Sequence, residues 1–153
     1  MDAIVEYSRE LIEKGSKSFA GAARLFDDET RASAYMLYAW CRHCDDVVDG
    51  QVLGHGAAVV TDRDARLALL RDGTAAAFAG TASASGPFAA LARVVASTGL
   101  PPILAHDHLA GFAMDAAGRG YETFDDTLDY CYHVAGAVGL MMAWVMGVRD
   151  RAV

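Results

Sequence analysis

Apolar and polar positions along this chain nowhere alternate for long enough to suggest a sheet, and glycine clusters cut the sequence into about six apolar-rich stretches of helical length. The breaks fall at Gly15, Gly50 to Gly56, Gly73, Gly80 to Gly86, Gly99 to Pro102 and Gly118 to Gly120. The pattern predicts helices over 2–14, 28–49, 62–79, 87–98, 101–117 and 124–147, with Gly80 to Gly86 as a small-residue linker inside one domain, 1–153. Thr123 is the expected N-cap of the last helix, with Asp125 and Asp126 in a first turn where the helix dipole favours negative charge. The expected fold class is all-α, a helical bundle.

Val134 to Val148 form 15 uncharged, mostly apolar positions, short of the about 20 that a membrane span requires. They read as a buried helix. Ala135, Gly139, Ala143 and Gly147 recur every four residues on one face, which lets a neighbouring helix or an apolar ligand approach the backbone. Plain helix packing is the expected explanation of that stripe.

Composition adds that 54% of the 153 residues are hydrophobic, which excludes a disordered chain and suits one core that needs neither disulfide nor metal to hold it. A net charge of −7 argues against a nucleic-acid surface, which would neutralise phosphates with many Lys and Arg. An acidic chain can still bind anions locally, through a few placed cations or through divalent metals gathered by carboxylates. Met1 to Leu11 carry Asp2, Glu6 and Glu10 without a basic segment and apolar run, so no signal peptide is expected and the cytoplasm is the expected location. Cys41, Cys44 and Cys131 are an odd number, and no structural disulfide is expected there.

The chemistry concentrates in YMLYAWCRHCDDVVDG, residues 35–50. Arg31, Tyr35, Tyr38, Arg42, Asp45 and Asp49 lie four, three, four, three and four positions apart, so they share one helix face, which must meet solvent or line a wet cavity. Asp45 and Asp49 are one turn apart, about 6 Å along the axis. Their mutual repulsion is relieved by Mg²⁺, an ion that takes one or two carboxylates and completes its shell with phosphate oxygens and water. Arg42, one turn before Asp45, has the planar fork to hold a phosphate oxygen. Asp46, about 100° round the helix, would support the site or share a metal. A solvated acidic helix end is the competing reading, although carboxylates at a C-terminus oppose the dipole.

Other candidates carry less. Ser16-Lys17-Ser18-Phe19 precedes a helix and offers hydroxyls, an ammonium and free N–H groups to an anion, while an N-cap accounts for either serine as well. Cys41 and Cys44 form a CxxC without the strand, following His or second ligand pair that redox, haem or zinc sites need, and read as buried helix cysteines. His106, Asp107 and His108 are consecutive, do not share a face, and read as surface residues.

Three segments in register, SKSF at 16–19, YAWCRHCDDVVDG at 38–50 and YCYHVAGAVGLMMAWVMGV at 130–148, resemble bacterial phytoene synthases of the squalene/phytoene synthase family. The resemblance implies an incomplete isoprenoid-synthase-type bundle. It implies that Asp45 and Asp49, with Asp46 beside them, bind Mg²⁺ (with Mn²⁺ as an admissible substitute) and that Arg42 binds diphosphate. It implies that Ser16, Lys17, Ser18, Phe19 and Tyr35 contact substrate, that Tyr38 and Tyr130 face the central cavity as catalytic residues, the latter assisting cation chemistry, and that Val134, Ala135, Gly136, Val138 and Gly139 wall an isoprenoid tunnel. The implied reaction joins two geranylgeranyl diphosphates head to head through a cyclopropyl diphosphate to phytoene, a step of carotenoid biosynthesis.

The family's enzymes run about twice as long and use a second aspartate-rich motif, whereas after Tyr130 the only acidic residue here is Asp150. Inactivity in isolation is therefore expected, with truncation the favoured explanation and a complementing C-terminal half or self-assembly as alternatives. Either would cover an apolar face left exposed. A squalene or dehydrosqualene synthase acting on farnesyl diphosphate, a head-to-tail prenyltransferase or terpene cyclase, and a non-catalytic partner-binding helical module are the competing functions. A peripheral membrane contact that delivers a lipophilic product is left open.

Overall fold

The computed structural model describes residues 2–53, 55, 56 and 61–150; Gly54, inside the predicted Gly50 to Gly56 turn, lies outside the described residues. Among those described there are eight α-helices and no strand beyond a single bridge between Val52 and His55. The helices are α1 (Ala3–Gly15), α2 (Lys17–Ala23), α3 (Asp28–Asp49), α4 (Arg63–Ala79), α5 (Pro87–Thr98), α6 (Pro102–Ala116), α7 (Phe124–Cys131) and α8 (Ala137–Val145), with a π turn over Tyr132–Gly136 joining the last two.

Local chemistry sets most of these boundaries. The Asp2 carboxylate caps α1 by accepting from Ile4 N–H at 3.0 Å, and Asp27 caps α3 by accepting from Thr30 N–H at 2.9 Å. Gly50 ends α3 at φ 63°, a left-handed conformation that glycine adopts without strain. Thr123 caps α7 as expected, its Oγ1 accepting from Asp126 N–H at 3.1 Å while the Asp126 carboxylate accepts from Thr123 N–H at 3.0 Å.

The long α3 is the centre of the bundle. It packs chiefly on α5 and α1, with smaller contacts to α8, α4 and α2. Its inward face carries Met36, Ala39, Trp40, Cys44 and Val48 against Leu67, Leu91, Val94, Leu109 and Met141. Trp40 is fully buried, and its indole N–H donates to Thr74 Oγ1 at 3.3 Å, so its one polar atom is not orphaned. Full burial of such a side chain contributes about 2–3 kcal/mol, which fixes α3 and hence the residues on its other face.

Three differences from the sequence reading bear on the site. The Ser16–Phe19 segment does not merely precede a helix: Ser16 caps α2 and Lys17, Ser18 and Phe19 form its first turn. Gly73, read as a break, lies inside α4 because the Phe88 ring packs where its side chain would be. The last helix is not continuous, the π turn inserting an extra residue at Tyr132–Gly136.

Candidate active site

One face of α3, the α1–α2 corner, α6, the π turn and α8 enclose a cavity of about 530 Å³, partly open to solvent. Its walls are apolar: Ile12, Phe19, Ala22, Ala23 and Phe26 on one side, Ala34, Leu37 and Cys41 on α3, and Val134, Ala135, Val138, Gly139 and Met142 opposite. Tyr38, Arg42 and Asp45 supply a polar edge along α3. A Cβ added at Gly139 would meet no atom within 4 Å, so this glycine leaves open space beside the wall. Ala135 and Gly139 face the cavity, so the small-residue stripe is not explained by plain packing there, contrary to expectation.

The polar edge is internally connected. Arg42 Nε donates to Tyr38 Oη at 3.3 Å, its guanidinium lies 5.6 Å from the Tyr38 ring centroid, and its Nη1 stands 3.8 Å from Asp45 Oδ2. Burial pushes the Asp45 carboxyl up to about 6; Arg42 opposes this, and the charges of Asp49 and Asp46 add to it. Asp49, on the exposed last turn of α3, is raised by burial and then by Asp115, with Arg63 opposing. Among the described residues no three His, Cys, Asp or Glu side chains come together as a complete metal cage. Two adjacent, partly desolvated carboxylates that repel each other are nevertheless the donor set of a Mg²⁺ ion that draws its other ligands from phosphate and water, so the residues fit that ion.

The remaining predicted residues are dispersed around this edge. Asp46 Oδ2 accepts from Leu53 N–H at 2.8 Å, holding the chain after α3, where Leu53 takes φ 51°. Tyr35 does not reach the cavity: it is buried with Ile12, Ala20 and Ala23 under the α1–α2 corner, because a continuous polar stripe on α3 would leave that corner without a floor. Arg31 turns back to Asp28 and to the Phe26 carbonyl. Ser16 Oγ accepts from Phe19 N–H at 3.3 Å and lies 3.3 Å from Ser18 Oγ; neither serine nor Lys17 is in the cavity wall, to which this segment contributes Phe19. Gly136 sits under the Tyr132 ring, 3.1 Å from Cδ2 to an added Cβ, and also lies off the wall. Tyr130 stands outside the cavity, its hydroxyl donating to Asp115 Oδ2 at 3.2 Å.

Cys41 and Cys44 are buried, in keeping with their reading as buried helix cysteines, and Cys131 is exposed. His108 corrects it: far from the surface, it is 2% exposed and forms part of the cavity wall, edge-on to Trp40 and Phe112. Neither ring nitrogen makes a hydrogen bond of good geometry among the described residues, and burial pushes the imidazole down to about 4, with the nearby His133 backbone opposing. His108, Gly111, Phe112 and Asp115 are spaced three, one and three on α6, a one-face pattern that could have placed both His108 and Asp115.

The helical bundle, with Arg42 and Asp45 on the edge of an apolar cavity, has the isoprenoid-synthase-type fold of solved squalene and dehydrosqualene synthases. The chain belongs to the squalene/phytoene synthase family, which it matches over residues 12–153. It is 53% identical over 152 residues to a phytoene synthase of Pseudescherichia vulneris, covering 98% of this chain and 49% of that protein. It is 50% identical to a 15-cis-phytoene synthase of Pantoea ananas, covering 98% and 49%. Among solved structures, a dehydrosqualene synthase in complex with a ligand superposes with TM-score 0.78 at 30% identity, covering 92% of this chain and 46% of that one. Squalene synthase HpnC from Alicyclobacillus acidocaldarius superposes with TM-score 0.83 at 27% identity, covering 97% and 53%. The chain spans about half the length of the curated relatives it matches.

Proposed function

We propose that this chain supplies one half of a phytoene-synthase-like site that condenses two geranylgeranyl diphosphates head to head. The observation that carries the reading is the Arg42–Asp45 pair on the edge of a largely apolar cavity, with Asp49 one turn further along α3. An isoprenoid diphosphate has the matching polarity, an anionic head and a long hydrocarbon tail. Asp45 and Asp49 would hold Mg²⁺ or Mn²⁺, which when bound stabilises negative charge on a departing diphosphate. Arg42 adds charge-assisted donors to the same oxygens. The Tyr38 ring offers an electron-rich face near that edge, and the apolar walls exclude the water that would quench a carbocation. The relatives at 50–53% identity are phytoene synthases, which favours the C20 substrate over the C15 one.

The cavity is partly open to solvent. Neither α7 nor the π turn has a buried residue, and a complementary helical segment, or a second copy of this chain, would close the cavity. No helix among the described residues is long and apolar enough to cross a membrane.

The reading is tested by thermal melting with Mg²⁺ and inorganic pyrophosphate, separately and together. Joint addition is expected to raise the melting temperature beyond the sum of the separate effects, and Asp45→Asn to abolish the joint increment. A wild-type chain indifferent to the pair would refute it.

A further inference from the structure

Asp115 belongs to none of the segments that carry the family resemblance, yet it meets the acidic edge from a second helix. It occupies the last turn of α6, one turn after Gly111, where the missing side chain lets α6 close on the backbone of the π turn: an added Cβ would lie 3.1 Å from the His133 carbonyl carbon. That approach brings Asp115 Oδ2 to 3.2 Å from the Tyr130 hydroxyl, which donates to it. The charge of Asp115 also bears on Asp49, so Tyr130, Asp115 and Asp49 share one neighbourhood. On its other side the Tyr130 ring meets Tyr121, with centroids 5.0 Å apart. The loop carrying Tyr121 is pinned to α7 by Arg119, whose Nη1 is 2.9 Å from Asp129 and whose Nη2 is 3.5 Å from Asp126.

A free phenol beside a diphosphate would donate its hydrogen to the anion. A phenol whose hydrogen is already committed to a carboxylate presents only oxygen lone pairs elsewhere, and the adjacent negative charge makes that oxygen a better acceptor. We propose that Asp115 is a positioning residue for Tyr130, taking its O–H so that the phenol oxygen faces positive charge gathered at the Asp49 end of the site, with Tyr121 closing the ring's other side. The proposal rests on the diphosphate reading given above. It deepens that reading by assigning Tyr130 the part of an acceptor held in place by a residue outside the motifs.

The test reads Tyr130 ring signals in NMR spectra of this chain carrying ¹³C-labelled tyrosine, assigned with Tyr130→Phe. Asp115→Asn keeps a side-chain oxygen to accept the O–H; Asp115→Ala removes it, and the site, exposed and in a last helical turn, tolerates either. Expected without ligand is a Tyr130 signal moved only slightly in Asp115→Asn, which keeps the acceptor but loses the charge, and moved further, towards that of unrestrained tyrosine, in Asp115→Ala. With Mg²⁺ and inorganic pyrophosphate, the Tyr130 response should weaken about fivefold in Asp115→Ala, the worth of one ordinary hydrogen bond, and return in Asp115→Asn. A Tyr130 signal indifferent to Asp115→Ala, or an Asn variant behaving like the Ala variant, overturns the proposal. If neither melting nor any tyrosine responds to Mg²⁺ with pyrophosphate in the wild type, the diphosphate reading fails, and the ligand-free spectra still decide whether Asp115 holds the phenol.

Discussion

Two side chains on the cavity wall carry opposite proton accounts. His108 stays neutral because burial pushes it down to about 4 from the usual 6.5; below pH 6.5 the unfolded chain takes up a proton that the folded chain refuses, so this residue lowers stability as the solution is acidified. Asp45 is pushed up to about 6 from 3.8; between those values the folded chain binds the proton and the unfolded chain does not, so this residue raises stability as pH falls from 6 towards 4. In the metal-free chain the two slopes partly cancel. His108→Leu is expected to remove the loss, about 2 kcal/mol between pH 6.5 and 5, leaving a chain that becomes more stable on mild acidification. Asp45→Asn is expected to steepen the acid loss by about 1 kcal/mol, discounted because the Asp45 side chain is 35% exposed. Urea titrations at pH 7.5, 6 and 5 in a chelator check both, and parallel curves for wild type and His108→Leu would contradict the first. The sequence made Asp45 legible through its spacing from Arg42 and Asp49, whereas His108 looked like a surface residue because, consecutive with His106 and Asp107, it shares no helix face with them. What distinguishes it is its place one turn before Gly111 and Phe112, on the face that α6 turns inward.

At the level of elements, the boundaries of α3 and α5 were readable because capping chemistry brackets them: Asp27 and Gly50 for one, Gly86–Pro87 and Gly99 for the other. The seven residues of α2 were missed since Lys17–Ala23 is too short, and too rich in Ala and Gly, to display a period. The π turn was invisible for the opposite reason, as an uninterrupted apolar run from Val134 gives no sign that one residue is looped out. Its position matters, because it sets which of Val134, Ala135 and Gly136 face the cavity, and the first two do. Contact with α6 helps to hold it there. A Cβ on Gly111 would stand 2.8 Å from Val134 Cγ1 and 3.1 Å from the His133 carbonyl carbon, and the latter is backbone that cannot rotate aside. Gly111→Ala is therefore expected to cost about 1–3 kcal/mol by overpacking, despite the better helix propensity of alanine. Gly21→Ala, where nothing lies within 4 Å, should instead gain about 0.5–1 kcal/mol. Chemical denaturation of the two variants measures the contrast, and equal effects would mean that α6 and the π turn are not in tight contact.

For the molecule as a whole, the bundle is closed on one side and bare on the other. Core residues from α3 to α6 are among the most buried in the chain, and Met141 joins them from α8. By contrast α7 and the π turn bury nothing, and Phe124, Leu128 and Tyr132, spaced one turn apart, are 74%, 49% and 37% exposed, with Met146 beyond them at 55%. An apolar row of this kind on a helical face marks a surface made for contact. The row is expected to pair with another copy of itself when this chain is studied alone. Sedimentation of this chain should then show mass rising with concentration. Phe124→Glu with Leu128→Lys, both at exposed positions, should hold it monomeric without lowering its melting temperature. A wild type that remains monomeric across the accessible range would show that the row does not self-pair, and joint melting of the monomeric variant with Mg²⁺ and pyrophosphate would still report on the acidic edge, because Arg42, Asp45 and Asp49 all belong to α3 and owe their placement to the core behind it.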